Sequence, residues 1–176
     1  MSSAYLFRMN AGIPGDVNRA HPVSIDTALM DATSPPTWYG QPVIIAATGG
    51  GVRAFAASEQ SNTVPVAAWG ITVRPFPVQQ ATTNVAFGGV AIGSSGIGSI
   101  AEVGTIRSGY IIAQVPAGQT PVKGGGVYIW CAASTGVHIL GGFEAVYSAG
   151  NTALLSNASF NSGADASGNC EIAFNV

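Results

Sequence analysis

Charge is what this sequence has least of. Six residues are Lys or Arg and eight are Asp or Glu, giving a formal net charge of −2 and a charged fraction of 8%, against roughly 25% in an average globular domain. The surface must therefore be built from Ser, Thr, Asn, Gln and Gly. Cations scattered singly from Arg8 to Lys123 form no basic patch, which argues against nucleic acid as a partner. So small a net charge offers little repulsion between copies, and interface cores are themselves poor in charge. The composition is that of an assembly component.

Reactive groups are equally scarce. His21 and His138 are the histidines available as general bases. His21 precedes Pro22 in an irregular stretch, and His138 sits among apolar neighbours in Gly136-Val137-His138-Ile139-Leu140. Each reads as a structural or surface histidine. The acids Asp16, Asp26, Asp31, Glu59, Glu102, Glu144, Asp165 and Glu171 are spread singly, so neither a carboxylate pair nor a metal cage is signalled. No enzyme is expected. Cys131 and Cys170 have no metal-type partners nearby, and in a cytosolic chain they are expected as buried thiols rather than a disulfide.

Long apolar runs are missing too. Residues 43–47 form the best stretch, and it breaks at Gly49-Gly50-Gly51, short of the ~20 residues a membrane helix needs. The N-terminus meets Arg8 and Asn10 before any signal-peptide core. A soluble chain without membrane or export is the expectation, and the sequon Asn157-Ala158-Ser159 then carries no weight. No cofactor is expected either. Gly96-Ile97-Gly98-Ser99-Ile100-Ala101 matches a dinucleotide fingerprint formally, but a strand-like segment follows it where a helix is required. It reads as a glycine-rich turn. Lys123-Gly124-Gly125-Gly126 lacks phosphate-loop spacing and reads as a hairpin or bulge.

What the chain does have is glycine, proline and β-branched residues in short alternation. No dozen residues sustain a helical apolar stripe without an interrupting Gly or Pro, so the fold is expected to be all-β, a single-domain sandwich or barrel. Strands are expected over residues 41–47, 52–57, 64–76, 84–92, 100–106, 110–115, 126–132, 136–140, 144–147 and 170–175. Turn signals separate them at Thr48-Gly49-Gly50-Gly51, Pro116-Ala117-Gly118, Ser134-Thr135-Gly136 and Ser167-Gly168-Asn169. Residues 1–40, with Pro14, Pro22, Pro35 and Pro36, read as an extended N-terminal arm ahead of a β-rich domain over 41–176. Within the arm, Asp26-Thr27-Ala28-Leu29-Met30 has the propensity for a short helix. Residues 93–99 read as a flexible loop.

Arg74 is the charge hardest to explain. In Ile71-Thr72-Val73-Arg74-Pro75-Phe76-Pro77, period-two alternation sets Ile71 and Val73 on a core face, with Thr72, Arg74 and Phe76 on the other. Pro75 and Pro77 cannot donate ladder hydrogen bonds, which predicts an edge strand or a strand end. Arginine beside an aromatic there suits a protein contact; the alternative is a solvated charge that opposes edge-to-edge aggregation.

The sequence also resembles the bacteriophage structural cement proteins, which decorate the capsid head. The resemblance is carried in order by Pro14-Gly15-Asp16-Val17-Asn18-Arg19, Gly40-Gln41-Pro42-Val43, Trp69-Gly70-Ile71-Thr72-Val73-Arg74-Pro75-Phe76-Pro77 and Arg107-Ser108-Gly109-Tyr110-Ile111. It continues through Gly124-Gly125-Gly126-Val127-Tyr128-Ile129, Gly141-Gly142-Phe143-Glu144-Ala145 and Glu171-Ile172-Ala173-Phe174-Asn175. It implies a β-rich, non-enzymatic protein, made in the host cytoplasm, that binds the outside of the assembled head and bridges neighbouring major capsid subunits. It further implies self-association, a dimer in preference to a trimer. Candidate contact residues are Arg8, Asp16, Arg19, Arg74 and Phe76. A competing reading is a carbohydrate-binding or adhesin-like module of the virion, stacking sugars on Trp38, Tyr39, Trp69 or Trp130.

Overall fold

The computed structural model describes residues 12–19, 22–59, 65–75, 97 and 102–176. The strand expected at 84–92, the loop at 93–99 apart from Ile97, and Arg8, His21 and Phe76 lie outside the described residues. Among the described residues nine strands run in chain order: β1 (Ser24–Leu29), β2 (Pro42–Ile45), β3 (Val52–Ala54), β4 (Gly70–Thr72), β5 (Glu102–Gln114), β6 (Gly126–Trp130), β7 (Phe143–Glu144), β8 (Thr152–Phe160) and β9 (Asn169–Phe174). They join in one antiparallel sheet of order β3-β2-β4-β5-β9-β8-β6-β7, with β1 pairing β5 beside that path. The sheet curls into a half-barrel, the barrel-like member of the all-β pair expected.

Strand β5 is the spine. The sequence reads as two strands parted by Arg107-Ser108-Gly109, yet the ladder runs through: residues 102–108 pair with β1 and residues 109–114 with β9. Gly109 makes this continuity geometrically feasible. Its φ of 133° and the carbonyl oxygen of Pro22, 2.7 Å from where a Cβ would stand, admit no side chain.

Two contacts curl the sheet about this spine. At one end Asp31 N–H donates to Val52 O at 2.9 Å, tying the end of β1 to β3. At the other, Val66 N–H donates to Leu154 O and Ser156 N–H to Val66 O, both 2.8 Å, tying the segment before β4 to β8.

The main core lies in the hollow so formed. Ile71, Ile106, Ile111, Val127, Ile129, Leu155, Phe160, Ile172 and Phe174 are buried there together, each contributing about 1.5–3 kcal/mol by removal from water. A smaller cluster joins Val43, Val52 and Val103 under Met30 and Trp69.

Three local expectations are corrected. Residues 26–30 are not a helix: β-branched Ile25 and Thr27 sit in a strand paired with β5, and tertiary pairing overrides weak helical propensity. Residues 136–140 make a tight turn closed between Thr135 and His138 instead of a strand. Finally, β4 is no edge, because it pairs with both β2 and β5, and Thr72 is as buried as Ile71. Its hydroxyl accepts from Gln41 N–H and donates to Trp38 O, both 2.9 Å, which lets a polar side chain occupy an inner face. The strand end expected at the prolines is present, since β4 stops at Thr72.

Strand β8, absent from the expectations, offers a check on this register. Leu155 faces the core while its neighbour Leu154 is partly exposed. Leu155→Ala should cost about 2–5 kcal/mol in chemical denaturation, whereas Leu154→Ala should cost about 0.5 kcal/mol. Equal losses would show the register to be wrong.

Candidate functional site

The residues singled out in the sequence converge along β5. The segment Pro14-Gly15-Asp16 lies between β5 and the end of β4: Gly15 N–H donates to Ile112 O (2.8 Å), Ile112 N–H to Asp16 O (2.9 Å), and Arg74 N–H to Gly15 O (2.9 Å). Glycine is required at position 15, where φ is 91° and a Cβ would stand 2.6 Å from that of Tyr39. This threading brings Asp16 and Arg74 together. The Arg74 guanidinium sits 5.0 Å from the Tyr39 ring centroid, and its Nε is 3.7 Å from Asp16 Oδ1. Only 14% of the Arg74 side chain is exposed, and its Nε and Nη2 are buried without a hydrogen-bond partner. Burial against this pair raises the Tyr39 phenol above its ordinary range, in opposition to the nearby Arg74 charge. A cavity of about 580 Å³ opens beside Arg74, lined by Asp16, Val17, Ile25, Pro75 and Ile112 among others.

Arg19 goes elsewhere. Its Nε and Nη2 donate to Glu171 Oε1 and Oε2 at 3.0 and 2.7 Å, and its guanidinium lies 4.3 Å from the Tyr110 ring centroid. Asn18 Nδ2 reaches the same carboxylate at 2.6 Å, and Asn161 Nδ2 completes the set. Burial alone would raise the Glu171 carboxyl, but the donors from Arg19, Asn161 and Asn18 prevail and hold it below the ordinary carboxylate range. Sequence reasoning named Arg19 and missed Glu171. The two lie 152 positions apart, and no local pattern marks such a pair.

A third arginine repeats the arrangement. Arg107 lies 3.7 Å from the Trp69 ring centroid, with Asp26 Oδ2 at 3.9 Å from Nη1. Arg53 pairs with Glu59. Every described arginine is thus neutralised within the chain, three of them over an aromatic face. Among the described residues no three His, Cys, Asp or Glu side chains gather as metal ligands.

The profile of the XM1 gp53 minor capsid protein family matches residues 1–174. The chain belongs to this family. It is a non-enzymatic structural protein of a virion capsid. No curated protein sequence matches it. Among solved structures, a chain from the capsid of Myoviridae phage XM1 superposes with a TM-score of 0.68 at 16% identity, covering 99% of this chain and 97% of that one. At that identity the likeness is one of fold.

The two cysteines of this minor capsid protein are enclosed. Cys131 and Cys170 are free and buried, and burial, aided by Asp165, pushes the Cys170 thiol up to about 12. His138 Nδ1 lies 2.8 Å from Glu144 Oε1, and its ring stacks on Trp130 with centroids 4.3 Å apart. Of the rings proposed for sugar stacking, Trp130 and Tyr39 are buried. Arg107 lies over the face of Trp69.

Glu171 sets a pH dependence whose direction follows from its environment. Its folded carboxyl is held below the unfolded value, so its stabilisation is complete above the ordinary carboxylate range and is lost as pH falls through the depressed value. Glu171→Gln should lower the thermal midpoint at neutral pH and flatten its decline on acidification. An unchanged acid slope would count against the Arg19–Glu171 clamp.

Proposed function

We propose that this minor capsid protein acts as a cement or decoration subunit, binding the outer surface of the assembled head and bridging neighbouring major capsid subunits. The observation that carries the reading is family membership along residues 1–174. The fold likeness to a chain of a myophage capsid, spanning nearly the whole of both chains, agrees with it. The small formal net charge of −2 supports it further: a protein that lies against a shell in many copies does so best with little net charge to repel its sisters.

The mechanism is one of linkage. A protein that binds the assembled shell and not its dissociated subunits stabilises the shell by mass action. Repetition over a lattice multiplies a modest free energy per site. The face near Asp16, Arg74 and the adjoining cavity is the first candidate contact. It is held rigid by the Gly15 threading, so little ordering is lost on binding. Arg19 serves this face by tying residues 18 and 19 to β9. The undescribed residues 1–11 and 76–96, which include Arg8 and Phe76, adjoin it in sequence at Gly12 and Pro75, and both are assigned to the same contact.

Two measurements test this. In a cryo-EM reconstruction of the particle, density for this chain should cover the junctions between major capsid subunits on the outer surface; density inside the shell would refute the reading. A chain lacking residues 1–11 should keep its thermal midpoint and lose at least ten-fold in affinity for heads assembled without it. Unchanged affinity would remove the N-terminal segment from the contact.

A further inference from the structure

We infer that the loop between β6 and β7 is a second contact surface, whose Val137 and Ile139 flank a notch for an uncharged, apolar side chain of a neighbouring capsid protein. This rests on the assembly reading above and supplies what bridging demands, a second patch separate from the first. The notch and the Arg74 cavity share no lining residue.

The loop is built rigid. Gly141 N–H donates to Trp130 O (2.7 Å) and Trp130 N–H to Gly142 O (2.9 Å), closing its base. Thr135 and His138 exchange backbone hydrogen bonds at 2.9 and 3.0 Å, closing its tip, and Leu140 N–H donates to Ser134 Oγ at 2.9 Å. His138, its side chain about one-third exposed, is held on one side by Glu144, which is 2% exposed, and on the other by Trp130. Its two neighbours face solvent. Val137 is 61% exposed and Ile139 52%. Two β-branched side chains with few rotamers, on a clamped loop, lose little entropy when covered.

The lining of the notch defines its occupant. It encloses about 370 Å³ between Trp38, Val115, Pro116, Val137, Ile139 and Phe143. Glu144 is its sole ionisable lining residue, and that carboxylate already holds His138 and Gln119. The Gln114 amide at its edge already donates to Ser167 O at 3.0 Å. A cationic side chain would need Glu144 released from His138 and Gln119, and an anionic one would need that carboxylate neutralised. An apolar side chain needs neither, and it would cover the exposed Val137 and Ile139.

The test uses the full chain and heads assembled without it. Val137→Ser with Ile139→Ser, and Ile139→Ser alone, should weaken head binding at least ten-fold and at least three-fold respectively. The thermal midpoint and the free chain's oligomeric state should stay as in the wild type, and Ile139→Val should bind normally. If both serine variants bind heads as tightly as the wild type, the notch is overturned while the assembly reading stands. If they dissociate a free oligomer and leave head binding intact, the surface belongs to a second copy and the inference fails. A wild-type chain that binds no heads overturns both.

Discussion

The structure depends on a way of disposing of charge. A chain with so few ionisable side chains places Arg19, Arg74 and Arg107 each over an aromatic ring and beside an acid of its own. The guanidinium suits this because it is planar and weakly hydrated, so it can stack on a ring face with its edge toward a carboxylate, to which Arg19 donates directly. Each such unit joins segments far apart in sequence: Arg19 ties the N-terminal segment to β9, Arg107 ties β5 to the approach to β4, and Arg74 ties the end of β4 to residues 15–16 and to Tyr39. Pairs of this kind contribute modestly where they are exposed. Their larger effect is to pair each described arginine with an acid of its own chain, so that few charges on the surface stand without a partner.

The second constraint is β5, and the charge units are arranged along it. Arg107 and Tyr110 belong to it, and Ile112 fixes Gly15 and Asp16 through two backbone hydrogen bonds. Because β1 pairs with the first half of the strand and β9 with the second, the two halves of the sheet are continuous through β5. That continuity suits the two-patch contact proposed above, since flexion between the patches would cost a second contact much of its effective concentration.

The fold class was legible in the sequence because glycine, proline and alternating β-branched residues leave no helix of useful length. The hairpin of β2 and β3 was legible for the same reason, with Thr48-Gly49-Gly50-Gly51 as its turn. Lys123-Gly124-Gly125-Gly126 proved to be both turn and bulge: Gly125 N–H closes onto Val122 O, and the register slips at Gly126. What was not legible depends on pairing across distance. Nothing local in Thr-Ala-Leu-Leu-Ser-Asn-Ala-Ser-Phe distinguishes β8 from a surface segment until β6 and β9 flank it. Nor does anything near Arg74 reveal that residue 15 crosses over it, which is why a largely buried arginine read as an outward one. Arg74 was found by its rarity in a charge-poor chain, and Asp16 and Arg19 by the Pro14–Arg19 motif that carries the resemblance. Their partners Tyr39, Tyr110 and Glu171 carry no such mark.

His138 shows why a charge-poor assembly protein keeps a partner for a buried carboxylate. An apolar residue in its place would fill the space above Trp130 but leave Glu144 with one donor fewer, and a carboxylate without its donors is costly to bury. The pair therefore fixes one orientation of the loop where apolar packing would permit several. Specifying which side chains face outward is a use of buried polarity distinct from adding stability, and it requires that every member be hydrogen-bonded. Here Glu144 is shared between His138 and Gln119, and Gln119 in turn accepts from Ala145 N–H. The polar network inside the loop thus helps fix the orientation in which Val137 and Ile139 face outward.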